Sequence, residues 1–116
     1  MDSIKQRTED VLIELGMPVN IKGFTYITSA MEIFENTGKD IRITTLYGVI
    51  AEMHDTTSSR VERAIRHALQ QAYEKAPLDI ATKYLDMRNQ TNGASLHMLH
   101  LKIKKEMEVL KIENND

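Results

Sequence analysis

The stretch from Ser58 to Lys75 sorts its residues into two faces when it is wound as an α-helix. At about 100° per residue, its apolar residues fall on one side: Val61, Ala64, Ile65, Ala68, Leu69 and Ala72. The other side carries Ser59, Arg60, Glu62, Arg63, Arg66 and His67. Solvated helix faces usually mix Lys and Glu four residues apart, whereas this one begins with three Arg and one Glu. The stretch therefore predicts a helix that packs on one side and presents guanidinium groups on the other.

The rest of the chain predicts further helices. A capping box at Ser3 and Gln6 begins the first, and Gly16 ends it. Pro18 and Pro77 separate later segments, and strand signals are weak. The expected helices cover about 4–15, 21–34, 44–53, 58–75, 77–85 and 94–110, and residues 113–116 are expected to fray. In the third helix, the apolar residues with helical spacing are Leu46, Val49, Ile50 and Met53.

The third and fourth predicted helices are joined by the short polar segment 54–57. This order and size predict a helix-turn-helix over about 44–75, with the helix from Ser58 to Lys75 in the recognition position. We therefore expect an all-α, six-helix bundle that contains a helix-turn-helix, of the winged-helix-like, response-regulator effector type.

Length and composition narrow the function. The 116 residues fit one domain, expected to span 1–116 as a DNA-binding unit without a receiver domain, and there is no Cys for a disulfide or a thiolate metal site. No apolar run approaches the ~18 residues of a membrane span, and no secretion signal is visible, so we expect a cytoplasmic location and no membrane partner. Enzyme motifs are lacking, which favours a non-enzymatic protein without a cofactor.

Charge is unevenly distributed along the chain. The formal net charge is −2, which argues against nucleic-acid binding through bulk charge. The segment 56–75 carries four basic and two acidic residues, a local net charge of +2, which leaves −4 for the remainder. Positive charge therefore lies where the Arg-rich face is, as a protein that docks on a polyanion through one patch requires.

Several segments resemble a known family. The run from Thr56 to Ala68, TTSSRVERAIRHA, resembles the recognition-helix signature of the effector domain of stage-zero sporulation protein A, the response regulator that starts endospore formation in Firmicutes. The segment 16–27, GMPVNIKGFTYI, looks like the family's early G-x-P-x-x-I-K-G-Y-x-Y-L pattern. The chain departs from the family at Gly48, where Pro is usual, and at residues 84–87, YLDM, where the family has L-F-G-Y.

The resemblance implies a function. Members of the family are six-helix bundles that bind a short G-containing promoter box and contact RNA polymerase sigma factors. It implies double-stranded DNA as the partner and leaves self-association on tandem sites open. Residues that match the family's DNA-contacting positions are Arg60, Glu62, Arg63 and Arg66. The rival hypothesis is a helical protein-interaction module, bound to a sigma factor or a regulator, that has lost DNA binding.

Physical chemistry allows these roles and also simpler ones. Arg can donate two hydrogen bonds to guanine, and Glu can accept one from cytosine. Alternatively, Glu62 and Arg66 form a solvated ion pair of little energetic weight, or Glu62 completes a capping box with Ser59. We favour Thr57 as the helix cap, with Ser58 and Ser59 in the first turn. Thr57, Ser58 and Ser59 are then candidates for contact with a phosphate of the DNA.

Histidines leave two alternatives open. His67 either binds a phosphate or lies partly buried at the edge of the apolar face. His97 and His100 have the spacing of metal ligands, but without a third ligand nearby a surface or core-edge pair is favoured over a metal site.

Overall fold

A computed structural model describes residues 3–38 and 40–114 of the chain. It contains six α-helices: α1 (Ile4–Glu14), α2 (Lys22–Thr37), α3 (Ile43–Met53), α4 (Ser58–Lys75), α5 (Leu78–Tyr84) and α6 (Asn92–Asn114). These described ranges contain no strand, which confirms the predicted all-α bundle. No helix in them is both long and apolar enough to cross a bilayer.

Local signals explain where the first helix begins and ends. Ser3 Oγ accepts a hydrogen bond from the Gln6 amide at 3.1 Å, and the Gln6 side chain accepts one from the Ser3 amide. This confirms the predicted capping box. At the other end, Gly16 has φ 79°, and the Met17 amide donates to the Leu12 carbonyl at 3.0 Å. That hydrogen bond is the Schellman pattern, which the positive φ of glycine allows.

The second helix is the centre of the bundle and contacts α1, α3, α4 and α6. Its long apolar side chains are buried on several sides, among them Phe24, Ile27, Met31 and Phe34. The sequence predicted a helix from about Ile21 to Phe34 that closes near residues 36–38, and the observed helix ends there, at Thr37. No helix breaker occurs before Gly38, whose amide still donates to the Phe34 carbonyl at 2.9 Å.

The apolar stripe predicted for α3 is half right. Leu46 and Ile50 are buried, but Val49 and Met53 are exposed, and Tyr47 and Ala51 are buried instead. The helix packs against both α4 and α2. Its buried face therefore consists of Leu46 and Ile50 together with their neighbours Tyr47 and Ala51.

The last helix is longer than predicted at both ends. It begins at Asn92 rather than near residue 94 and continues to Asn114 rather than ending near residue 110. Glu113 and Asn114, predicted to fray, are helical; Asn115 and Asp116 lie outside the described residues. Leu96, Leu99 and Ile103 pack in the core, whereas Val109 and Ile112 are exposed. The final turns therefore extend past the bundle, where intrahelical hydrogen bonds alone continue them.

Candidate nucleic-acid interface

The fourth helix has the two faces that its sequence predicts. Its buried side chains are Val61, Ile65, Ala68, Leu69 and Ala72. Its exposed residues include Ser59, Arg60, Arg63, Arg66, His67 and Gln70. Because the apolar face is fully used by the core, the arginine-bearing face is the one left for a partner.

The turn before α4 is a defined structure. Asp55 has φ 53°, a left-handed conformation that Asp tolerates better than most residues. The Thr56 amide donates to the Ala51 carbonyl at 2.9 Å, and the Asp55 amide donates to the Glu52 carbonyl at 3.5 Å. These two bonds close α3 with a Schellman motif. The turn therefore sets the angle at which α4 leaves α3.

The start of α4 agrees with the predicted cap. Thr57 is the N-cap residue, and its Oγ1 accepts a hydrogen bond from the Arg60 amide at 3.3 Å. The alternative capping box between Ser59 and Glu62 is not formed. Ser58 and Ser59 lie exposed in the first turn, where free amides attract an anion.

The three guanidinium groups differ in their surroundings. Arg63 donates from Nε to the Ser59 carbonyl at 3.4 Å. Arg66 Nη1 lies 2.6 Å from Glu62 Oε1, and 52% of the Arg66 side chain is exposed. Within the described residues, the Arg60 guanidinium forms no ion pair or hydrogen bond. Arg60 and Arg63 are therefore the cations most available to a ligand.

Glu62 lies at the border of the Arg-rich face. Its carboxylate pairs with Arg66, as the simpler interpretation of the spacing predicted. Its backbone carbonyl accepts a hydrogen bond at 3.2 Å from Asn92 Nδ2, which also donates to Tyr47 Oη at 3.0 Å. A carboxylate has more than two acceptor positions, so the ion pair leaves Glu62 able to accept from a base.

Asn92, which no sequence pattern singled out, borders the Arg-rich face. Its amide joins α6 to α3 and to the backbone of α4, beside the Glu62–Arg66 pair. Burial raises the pKa of Tyr47, and the hydrogen bond from Asn92 opposes that rise. No local pattern predicts such a contact, because Asn92 is 30 residues from Glu62 and 45 from Tyr47.

Gln70 is a second residue beside the proposed contacts that no sequence pattern singled out. It is exposed and lies one turn beyond Arg66 on the same face. A glutamine amide can pair with the N6 and N7 atoms of adenine. Gln70 follows Arg66 by four residues and Arg63 by seven, and this spacing alone predicts that it shares their helix face.

The structure gives the surroundings of the three histidines whose roles the sequence left open. His67 is exposed, and its Nε2 lies 2.9 Å from Gln71 Nε2, so the partly buried alternative is wrong. His97 stacks on the Phe34 ring at 5.1 Å, and His100 Nε2 lies 2.9 Å from Glu35 Oε1. Among residues 3–38 and 40–114, no three metal-ligating side chains cluster. His100 is buried and His97 is half-buried, so the pair lies at the edge of the core.

Glu35 ties the histidine region to α6. Its Oε2 accepts from Lys104 Nζ at 3.1 Å, while its Oε1 faces His100. Burial alone would raise the pKa of Glu35, but the hydrogen bonds from His100 and Lys104 outweigh burial and lower it. The carboxylate is therefore held ionised in the folded protein.

An all-helical bundle in which a tight turn joins α3 to an Arg-bearing α4 is compatible with one class of protein, the helix-turn-helix effector domain of a DNA-binding transcription regulator. A comparison with family models matches residues 8–103 to the family described as "Sporulation initiation factor Spo0A C terminal". The match covers most of the chain, so the chain belongs to this family. The resemblance noted at residues 16–27 and 56–68 is confirmed.

Proposed function

We propose that this chain is a sequence-specific DNA-binding transcription regulator whose helix α4 enters the major groove at a short G-containing promoter box. One observation carries the proposal: three arginines occupy the exposed face of a helix whose opposite face is buried in the core. The base-contacting residues are Arg60, Glu62, Arg63 and Arg66. The phosphate-contacting residues are Thr57, Ser58, Ser59 and His67.

The spacing of the arginines matches DNA. Arg60 and Arg63 are three residues apart, which is a rise of about 4.5 Å along a helix. Successive base pairs are about 3.4 Å apart, so the two side chains address neighbouring pairs. Each bidentate arginine–guanine contact contributes about 1–3 kcal/mol of discrimination. The ion pair with Glu62 orients the side chain of Arg66. This residue lies a further turn along the helix and reaches a base or a phosphate.

The test is a binding titration on two labelled duplexes, one with a G-containing family-type box and one with the same bases scrambled. We expect tighter binding to the box, and a steep loss of affinity on both duplexes as salt rises, because contacted phosphates release counterions. No affinity for either duplex at low salt would contradict the proposal. It would favour the rival, a helical protein-interaction module that has lost DNA binding.

Two further roles extend the same proposal: contact with an RNA polymerase sigma factor, and self-association on tandem boxes. The resemblance to a family whose members contact sigma factors supports the first role. Sedimentation on duplexes with one or two boxes tests self-association, since cooperative loading on the double site is expected only if two copies touch. A pull-down with purified sigma factor tests the other role.

A further inference from the structure

A groove of about 650 Å³ lies between α1, α2 and the end of α3. Residues of α1, of the segment before α2, of α2 itself and of the α3–α4 turn line it, and none of its lining residues belongs to α4. None of the proposed base- or phosphate-contacting residues lines the groove, so the groove is distinct from the proposed DNA-contacting face.

Large apolar side chains from three separate segments line this groove. Ile13 of α1 is 55% exposed, Val19 before α2 is 61% exposed, and Met53 at the end of α3 is 54% exposed. A single exposed apolar residue is ordinary. Three of them gathered from distant parts of the chain into one concave surface indicate a place where apolar area is buried on binding.

Carboxylates also line the groove, those of Glu9, Asp10 and Glu32. Among the described residues that line it, the one lysine or arginine is Lys5. Within the described part of the chain, none of these three carboxylates forms an ion pair. Elsewhere on α2 and α6, Glu35 and Glu106 are both paired. The acidic rim of the groove is therefore left for cations from outside the chain.

The floor of the groove is held in place. His54 Nε2 and Ser29 Oγ, both lining residues, lie 2.8 Å apart, and the His54 ring contacts the Tyr26 ring at 5.2 Å. These contacts fix the end of α3 against α2. A preformed surface loses less conformational freedom on binding than a mobile one.

We propose that this groove docks an amphipathic helix of a partner protein, with apolar residues on the docked face and Lys or Arg beside them. The apolar residues would pack on Ile13, Val19 and Met53, as in other helix-in-groove interactions. The cations would pair with Glu9, Asp10 and Glu32. Charge complementarity selects this occupant over an acidic helix or a nucleic acid, both of which the rim repels.

The test uses the whole protein and a labelled synthetic peptide of about 14 residues, with Leu on one helical face and Lys on the other. We expect saturable binding that weakens as salt rises. The double variant Ile13→Ser with Val19→Ser is expected to bind about tenfold more weakly. A matched pair at exposed apolar positions outside the groove, Leu78→Ser with Ile112→Ser, should bind as the wild type does.

A second arm tests the charges. The triple variant Glu9→Gln, Asp10→Asn and Glu32→Gln should lose affinity and most of the salt dependence, and a peptide with Glu in place of Lys should not bind the wild type. Equal binding of the Leu/Lys peptide to wild-type and groove variants would overturn the proposal. So would self-association of the protein that the groove variants abolish and the peptide does not compete with, because a second copy would then be the occupant.

The outcome is separable from that of the proposed function. The uncharged groove variant, Ile13→Ser with Val19→Ser, is expected to bind the box duplex with unchanged affinity, because neither residue lies on α4 and the net charge stays the same. If the wild-type protein binds the peptide but neither duplex, the proposed function is contradicted and the docking proposal is not.

Discussion

Gly23 of α2 lies so close to α4 that a β-carbon at its position would fall 2.5 Å from the carbonyl oxygen of Ala64 and 2.5 Å from the β-carbon of Ala68. Helices rarely approach this closely, and only a residue without a side chain allows it. Ala64 and Ala68 lie on the inner side of α4, opposite the Arg-rich face. The contact therefore determines how far that face projects from the bundle.

We expect Gly23→Ala to lower the free energy of unfolding by about 1–3 kcal/mol, because overpacking at a rigid helix crossing forces the backbone apart. The matched control is Gly48→Ala in α3, where the nearest atom to an added β-carbon is Ser58 Oγ at 3.8 Å. That change should raise stability by up to about 1 kcal/mol, since alanine is the better helix former. Urea denaturation measures both, and a fully stable Gly23→Ala variant would refute the close-contact argument.

Arg63 gives the sharpest test of base reading. We expect Arg63→Ala to remove the preference for the box duplex over the scrambled one, a loss of about 1–3 kcal/mol of discrimination, while circular dichroism stays unchanged. Arg63→Lys should keep affinity for the scrambled duplex, because the charge remains, and should show a weaker preference, because an ammonium lacks the planar two-donor fork of a guanidinium. Full discrimination in the Arg63→Ala variant would end the assignment of Arg63 to a base.

Thr57 and Ser59 separate capping from phosphate contact. Thr57→Ala removes the acceptor for the Arg60 amide and should lower stability by about 1 kcal/mol. Ser59→Ala, in the first turn of α4, should leave thermal unfolding unchanged and weaken binding to both duplexes equally if Ser59 touches a phosphate. A Ser59→Ala variant with normal DNA affinity would remove Ser59 from the interface.

The contacts of Glu35 lead us to expect a particular dependence of folding stability on acid pH. Because the hydrogen bonds from His100 and Lys104 outweigh burial and lower the pKa of Glu35 in the folded state, its contribution to stability is present above the ordinary carboxyl pKa, about 4.3, and is lost as the pH falls through the lower folded value. Glu35→Gln should therefore be less stable than the wild type at neutral pH, and the difference should shrink on acidification.

The comparison for Glu35 is Glu108→Gln, at an exposed position of α6 that forms no ion pair with the described residues. Its stability should follow the wild type at every pH. A Glu35→Gln variant with the same pH profile as the wild type would show that the His100–Glu35–Lys104 contacts do not stabilise the fold.

Much of the fold and of the interface was predictable, because the relevant signals act over a few residues. The bounds of α4 were predicted correctly from Thr57, which caps it, and from Pro77, which stops it shortly after Lys75. The apolar spacing of Val61, Ile65 and Leu69 identified its buried face. The exposed arginines followed from the same periodicity, since whatever is not on the buried side of a surface helix faces solvent.

Other features depended on contacts between distant residues. Met53, which the apolar spacing placed on the buried side of α3, is exposed, and Tyr47 is buried instead, because α3 packs against two helices at once. Asn92 reached Glu62 and Tyr47 only because α6 begins beside α4.

The sequence alone determined the helices, their order and the Arg-rich face of α4, since hydrogen bonding within a helix and apolar periodicity are local. Tertiary structure decided the contacts of Asn92 with Glu62 and Tyr47, the closeness of α2 and α4 at Gly23, and the gathering of Ile13, Val19 and Met53 into one groove. Those outcomes required the packing of the whole bundle, because the distance between two residues remote in the chain is set by every helix that lies between them.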